Sequence, residues 1–215
     1  MIETREQLLD YFKKHNYDFL PGPDPNTFQP FPGAKVLDLG TNLGIVAGFW
    51  ALSQCDVTSY EADPETYRLA TEMFQQLNLK VEAVNIAIWS HPGHIGFKGV
   101  GHMDGNRSCR NGQVDSSSGS VLVPCITLVQ ALGDKIWDCV KIDIEGSEFE
   151  VLMNTDPDAL GNIKYMNLEI HEQKYDPAWM TQDQVQQLRN KLKHIFEIRP
   201  SVYSTGHWHL FNEVL

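Results

Sequence analysis

Short apolar runs alternate with segments of helical periodicity from residue 34 to the C-terminus. The runs predict strands that end at Gly40 and Glu61 and strands over 81–88, 137–143 and 163–171. Apolar residues at helical spacing predict helices between them, with start signals at Asp63-Pro64 and at Thr181. Strands and helices that alternate in this way predict an α/β fold, in which helices cover both faces of a mostly parallel sheet.

The two ends of the chain carry different patterns. Thr4 and Gln7 form a capping-box signal for an N-terminal helix, and a proline-rich connector follows it. We therefore expect residues 1–33 to form an N-terminal helix and connector and residues 34–215 to form the main domain. Near the C-terminus, two apolar runs flank a Ser204-Thr205-Gly206 turn, which predicts an antiparallel hairpin that closes the sheet.

The segment over 91–120 is rich in glycine and serine and shows no long apolar pattern. A stretch of this length inside a compact domain is commonly functional, so we interpret it as a substrate loop. Its tip offers hydrogen-bonding side chains, among them His102, Asp104 and Arg107. At its flanks, residues 95–98 and 121–125 can pair as a small hairpin.

Composition narrows the classes of protein. The chain has 215 residues, 42% apolar residues and a formal net charge of -11, which is typical of one acidic globular domain. This charge argues against a nucleic-acid surface, and no apolar run is long enough to cross a membrane. The charged opening residues lead us to expect no secretory signal, and the four cysteines form no C-x-x-C pair. We expect a cytoplasmic protein with reduced thiols, no zinc site and a small-molecule partner; oligomeric state is not indicated.

The turn after the first strand indicates the ligand. Gly40 and Gly44 allow close backbone approach, and Glu61 follows about twenty residues later, where an acid can bind ribose hydroxyls. The turn lacks the G-x-G-x-x-G pattern of dinucleotide sites, and Asp38 stands just before it. An acid there disfavours a pyrophosphate and suits a cationic ligand such as S-adenosylmethionine (SAM). An NAD-dependent oxidoreductase and a catalytically silent binding module remain the alternatives.

Charged residues interrupt two strands near their C-terminal ends, where a parallel sheet is normally apolar. Lys141 and Asp143 lie in one strand, and Glu169 and His171 lie in the other. Lys141 and Glu169 can be a structural ion pair. Asp143, Glu145 and His171 can provide a general base or the ligands of a divalent cation. Two further histidines, 207 and 209, favour packing over metal binding because no acid lies near them in sequence.

Four strings together resemble the FkbM family of SAM-dependent methyltransferases. They are Asp38-Leu39-Gly40-Thr41-Asn42-Leu43-Gly44, Tyr60-Glu61-Ala62-Asp63-Pro64, Asn85-Ile86-Ala87-Ile88 and Val140-Lys141-Ile142-Asp143-Ile144-Glu145-Gly146-Ser147-Glu148. The resemblance implies a Rossmann-like class I methyltransferase fold and SAM as cofactor. It places Asp38, Gly40, Thr41, Asn42 and Gly44 around the methionine part, Glu61 on the ribose, and Ala62, Ile86 and Ala87 beside the adenine.

The family is associated with O-methylation of sugars and natural products, so we expect a hydroxyl acceptor. Methyl transfer needs alignment of donor and acceptor and removal of one proton. We expect Asp143 near the transferred methyl group and His171, with Glu169, as proton acceptor. A metal-assisted version would use Asp143 with Glu145, Glu169 or His171 to hold Mg²⁺.

Overall fold

The computed structural model of the protein describes residues 2–15, 26–98, 107–108, 121–174, 179–201 and 206–215. Its helices are α1 (Arg5–His15), α2 (Ile45–Leu52), α3 (Pro64–Gln76), α4 (Leu128–Leu132), α5 (Glu148–Met153), α6 (Pro157–Leu160) and α7 (Gln182–Leu192). Its strands are β1 (Lys35–Leu39), β2 (Asp56–Tyr60), β3 (Val81–Val84), β4 (Ala87–Trp89), β5 (Gly93–Lys98), β6 (Arg107–Ser108), β7 (Val121–Thr127), β8 (Cys139–Ile142), β9 (Tyr165–Glu169), β10 (Glu197–Pro200) and β11 (His207–Phe211).

Seven strands form the main sheet, in the order β10-β11-β9-β8-β1-β2-β3. The five strands from β9 to β3 are parallel, whereas β11 pairs antiparallel with both β9 and β10. The predicted parallel sheet and its closing antiparallel hairpin are therefore confirmed. The strand order reverses at β1, which has β2 on one side and β8 on the other. In open α/β sheets, ligands bind in the crevice at the carboxyl ends of such strands.

Two apolar cores lie on opposite faces of this sheet because successive side chains of a strand point to opposite sides. Leu37 and Leu39 of β1 belong to the core that includes residues of α4, α5 and α7. Val36 belongs to the other core, which includes residues of α1, α2 and α3. Phe12 of α1 is fully buried there and stacks on Phe49 with ring centroids 3.9 Å apart. Helices thus cover both faces, as predicted; the division of the chain at residue 33 stays a prediction.

A second sheet has the order β4-β7-β5-β6 and a small core of its own. Its strands β5 and β7 pair antiparallel, as predicted for the flanks of the glycine-rich segment. The prediction of one strand over 81–88 is wrong, because β3 joins the main sheet and β4 joins the second sheet. Asn85 lies between them and donates from Nδ2 to the carbonyls of Glu61 (2.8 Å) and Ala62 (3.1 Å). These bonds hold the chain where it leaves the main sheet.

Hydrogen bonds at helix starts test the capping predictions. Thr181 and Gln184 form the predicted capping box of α7, and the Asp63 carboxylate accepts from the backbone N–H of Thr66, the third residue of α3, as an N-cap does. Ser147 and Glu150 also have the spacing of a capping box, which predicts a cap at the start of α5; this prediction is wrong, because the side chain of Ser147 does not cap the helix. The buried carboxylate of Glu148 accepts hydrogen bonds from backbone N–H groups of that turn instead.

Some predicted features lie outside the described residues. These are Pro21, Pro23 and Pro25, Cys109, Ser204 and Thr205, and most of the proposed substrate loop, including His102 and Asp104. For Arg107 the backbone alone is described, in β6. The function of this loop stays a prediction.

Cys55, Cys125 and Cys139 are buried free thiols. Across the described ranges, every helix is too short or too polar to cross a bilayer.

Candidate functional site

An open cleft lies at the carboxyl ends of β1, β2 and β8, with strands of the second sheet on one side. The space inside it, including the part open to solvent, is about 620 Å³. The predicted cofactor residues that line it are Gly40, Asn42, Glu61, Ala62, Ile86, Ala87 and Asp143. The cleft therefore brings most of the predicted site together.

Glu61, just after β2, has its carboxylate held by the backbone. The N–H of Asn42 donates to Oε2 at 2.8 Å, and the N–H of Asp63 donates to Oε1 at 2.9 Å. Burial raises the pKa of Glu61 to about 7, although both N–H groups act to lower it. The carboxylate is fixed and lines the cleft, so its remaining lone pairs can accept hydrogen bonds from a diol.

The glycines of the first turn have separate roles. Gly40 has φ +80°, and a Cβ there would lie 1.7 Å from the backbone oxygen of Asp143. Only glycine therefore fits between the ends of β1 and β8. Gly44 also has φ +80°, but a Cβ there would meet the ring of Phe74 at 2.6 Å. Gly44 thus serves the packing of α2 against α3 and does not line the cleft.

Asp38 does not contact the cleft directly, contrary to the sequence-based expectation. Its side chain is fully buried, 3.3 Å from Lys141 Nζ, and accepts a 2.5 Å hydrogen bond from the Thr41 hydroxyl. Lys141 also donates to the carbonyl of Gly40 at 2.8 Å. Asp38 and Thr41 therefore hold Lys141 and the turn in place, and the free negative charge of the cleft comes from other residues.

Lys141 links Asp38 to Asp143, which lies just after β8 and lines the cleft. Its Nζ lies 3.2 Å from Oδ2 of Asp143, so its ion pairs within the described ranges are with Asp38 and Asp143, whereas the predicted partner Glu169 acts through its charge. Burial acts to lower the pKa of Lys141, but these two carboxylates raise it above its usual range. Burial acts on Asp143 in the opposite sense, and Lys141 holds the pKa of that carboxyl below its usual range. Both side chains are therefore charged at neutral pH.

His171 lies among three carboxylates just beyond β9. Its Nδ1 is 2.9 Å from Oε1 of Glu148, and its Nε2 is 3.4 Å from Oε2 of Glu145 and 4.0 Å from Oδ1 of Asp143. Burial would lower the pKa of His171, but the charge of Glu148 and the other carboxylates raises it to about 11. The imidazole is therefore protonated at neutral pH, which argues against its predicted role as proton acceptor.

Glu169 and His207 form a second pair at the adjoining strand ends. His207 Nε2 lies 3.3 Å from Oε2 of Glu169, and about a third of the Glu169 side chain is exposed. Burial and the charge of Asp143 raise the pKa of Glu169, while His207 lowers it. No acid lies near His207 in sequence, but the neighbouring strand β9 brings Glu169 beside it. His209 is fully buried and 2.6 Å from the Tyr165 hydroxyl, which fits the predicted packing role.

Sequence reasoning missed several residues of the site. Tyr60, Ile88, Ile95, Ile144 and Ser147 line the cleft. Asn85 was missed as well, although it supports the backbone of Glu61. The sequence signal for it is a polar residue that interrupts an apolar run. Ile95 gave no signal, because its strand belongs to a sheet that the sequence pattern did not separate from the main one.

Comparison with known proteins identifies the family. Curated proteins gave no match. A SAM-dependent O-methyltransferase from Thermotoga maritima is similar in structure, with 13% identity, a TM-score of 0.51 and coverage of 97% of this chain and 71% of that one. A candidate rRNA methylase from Clostridium thermocellum has 10% identity, a TM-score of 0.50 and coverage of 98% and 94%.

These two structures support the fold, which is a Rossmann-like class I methyltransferase fold. The model of the methyltransferase FkbM domain matches residues 38–198. Because that match spans well over half of the sequence, the chain belongs to the FkbM methyltransferase family.

Proposed function

We propose that this protein transfers the methyl group of SAM to a hydroxyl group of an uncharged small molecule, a sugar or another natural product. The observation that carries the proposal is a single cleft with two chemically different ends. Backbone N–H groups fix the Glu61 carboxylate at one end, and Asp143 and Glu145 line the other. Family membership supplies the methyl-transfer chemistry.

The residues of the first end fit the nucleoside of SAM. Glu61 can accept hydrogen bonds from both ribose hydroxyls, as an acid after the second strand does in nucleotide-binding sheets. Ala62, Ile86 and Ala87 provide an apolar border for the adenine. Gly40 brings backbone to the cleft without a side chain, so the methionine part can pass close to it. When bound there, SAM supplies a methyl group that its sulfonium already activates.

The charge of the cleft supports an uncharged acceptor. Glu61, Asp143 and Glu145 line it, and its described lining contains no Lys or Arg. The nearby Lys141 is 3% exposed and lies between two carboxylates. A phosphate-bearing acceptor such as RNA would meet uncompensated negative charge here, and the net charge of -11 would oppose its approach. Hydroxyl groups can instead donate hydrogen bonds to these carboxylates.

The proton of the acceptor needs a base. The acceptor oxygen bonds to the methyl carbon as the carbon–sulfur bond breaks, and the hydroxyl proton leaves. His171 already carries a proton between Glu148 and Glu145. Glu169 is about a third exposed, and burial and the charge of Asp143 raise its pKa, so it can accept this proton; His207, 3.3 Å away, acts in the opposite sense. In this proposal Asp143 and His171 position the acceptor.

Ligand-dependent thermal unfolding tests the donor, with SAM, S-adenosylhomocysteine and NAD compared at equal concentrations. A ligand at a hundred times its Kd stabilises by about 2.7 kcal/mol, so the two adenosyl ligands should raise the melting temperature and NAD should not. The Glu61→Gln variant should lose the shift, and Glu82→Gln, on the exposed part of neighbouring β3, should keep it. Equal shifts for all three ligands, or none, would refute the proposed donor.

Formation of S-adenosylhomocysteine tests the acceptor. Purified protein that is incubated with SAM should release S-adenosylhomocysteine when neutral polyols or glycosides are present, and not when RNA is present at equal concentration. Product formation with RNA alone would overturn the acceptor class while leaving the donor intact. The Mg²⁺-assisted version stays a prediction, and undiminished turnover in EDTA would remove it.

A further inference from the structure

Three side chains at the acceptor end of the cleft converge on one point. One ligand atom from each of Asp143, Glu145 and His171 lies within 4.8 Å of the other two. His171 Nε2 is 3.4 Å from Glu145 Oε2 and 4.0 Å from Asp143 Oδ1. Two atoms that bind one divalent ion at about 2.1 Å each lie roughly 3–4 Å apart. The two distances from His171 Nε2 fall within this range.

The three groups differ in exposure in a way that suits an ion open to substrate. The side chains of Asp143 and Glu145 are 24% and 26% exposed, whereas that of His171 is 7% exposed. Lys141 contacts Oδ2 of Asp143, which leaves Oδ1 on the side of His171. The coordination positions that protein atoms do not fill would face the cleft, where Asp143 and Glu145 form part of the lining.

Glu148 supports the histidine from behind. Its side chain is fully buried, and Oε1 is 2.9 Å from His171 Nδ1. A proton on Nδ1 leaves the lone pair of Nε2 directed at the two carboxylates, and metal-bound histidines usually have such a carboxylate or carbonyl partner. The same Oε1 accepts from the N–H groups of Ile144 and Gly146 at 3.0 and 3.2 Å. Glu148 thereby also fixes the turn that carries Glu145, whose φ is +54°.

The electrostatics favour a cation at this point. Carboxylate oxygens of Glu148, Glu145 and Asp143 lie 2.9, 3.4 and 4.0 Å from one imidazole, which concentrates negative charge there. A divalent ion between Nε2 and the two partly exposed carboxylates would interact with both of them at once.

We propose that Asp143, Glu145 and His171 bind a divalent transition-metal ion of the Mn²⁺ or Fe²⁺ type, with Glu148 as the positioning residue of the histidine. Imidazole is a poor ligand for Mg²⁺ and a good one for first-row transition metals, and carboxylates suit Mn²⁺. The role of the ion rests on the proposed function: an ion here would polarise the acceptor hydroxyl and make its proton easier to remove.

Titration with Mn²⁺ in buffer that contains excess Mg²⁺ tests this proposal. The electron paramagnetic resonance signal of the free Mn²⁺ measures how much of the ion is bound. We expect about one bound Mn²⁺ per chain. His171→Ala and Asp143→Asn should abolish binding, and Glu148→Gln should weaken it about 10–100-fold. Glu150→Gln, an exposed position in the same helix, should bind like the unchanged protein. Absence of binding, or full binding by His171→Ala, would show that the cluster is an ion-pair network around a protonated histidine.

Two controls separate misfolding and the proposed function from this result. Circular dichroism and the melting shift with S-adenosylhomocysteine report the folding of each variant. If Glu148→Gln does not fold, Glu145→Gln, at a partly exposed position, takes its place in the titration and should lose Mn²⁺ affinity. If the unchanged protein responds to S-adenosylhomocysteine but not to Mn²⁺, the metal site is wrong and the function stands. If it binds Mn²⁺ and neither adenosyl ligand, the function is wrong and the metal site stands.

Discussion

Acidification should weaken binding of the adenosyl ligand through one residue, Glu61. Its pKa in the free protein is raised to about 7 by burial. Only the ionised carboxylate accepts hydrogen bonds from both ribose hydroxyls while it keeps those from Asn42 and Asp63. Affinity should therefore be highest above this pKa and should fall as pH drops through it, because protonation competes with ligand binding.

The size of this effect follows from the pKa. With a pKa of about 7, about 90% of Glu61 is ionised at pH 8 and about 3% at pH 5.5. Affinity should fall about thirtyfold between these values, which is about 2 kcal/mol. His171, with a pKa near 11, keeps its charge over this range.

Isothermal titration calorimetry with S-adenosylhomocysteine at both pH values measures the change. Adenosine shares the ribose and has no group that titrates in this range, so it should show the same dependence. Glu61→Gln should bind weakly and with little pH dependence, whereas Glu82→Gln should retain both the affinity and its slope. A flat profile in the unchanged protein, or a slope that survives Glu61→Gln, would refute the assignment of Glu61 to the ribose.

Two substitutions test the supports of the cleft by urea unfolding. Gly40→Ala should destabilise by about 3 kcal/mol or more, because its Cβ would overlap the Asp143 oxygen in addition to the strain of a positive φ. Gly33 also has a positive φ, but no atom lies near the position of an added Cβ, so Gly33→Ala should cost about 1 kcal/mol. Equal losses of stability in the two variants would refute the argument from overlap at Gly40. Lys141→Met should cost about 3–5 kcal/mol because Asp38 would lose its paired charge. Lys141 also lowers the pKa of Asp143, so the loss should be largest near neutral pH and smaller in acid, and a loss independent of pH would contradict the pairing.

Local patterns predicted the parts of the molecule that depend on sequence neighbours. The strand–turn–helix units, the capping box at Thr181 and the hairpin of β10 and β11 follow from periodicity and from side chains three or four positions apart. Glu61 could also be predicted, because one strand–helix–strand unit fixes its distance from Gly40.

Features that depend on register between strands could not be predicted. Lys141 lies opposite Asp38 in the pairing of β8 with β1, and no local pattern shows that these two residues are neighbours. The break between β3 and β4 depends on hydrogen bonds from Asn85 to residues more than twenty positions earlier. The protonation of His171 likewise depends on carboxylates at the end of a different strand. A histidine at a strand end indicates a general base from sequence alone, whereas the surrounding carboxylates favour its protonated form, which cannot accept a proton.

One wall of the cleft is built on a different framework from the rest. Glu61 and Asp143 follow strands of the main sheet, whereas Ala87 and Ile95 belong to the second sheet and pack in its separate apolar core. Substitutions inside that smaller core can therefore shift this wall while the two carboxylates keep their positions. The breadth of the cleft can change in this way, in evolution or in the laboratory, without any change to its charged groups.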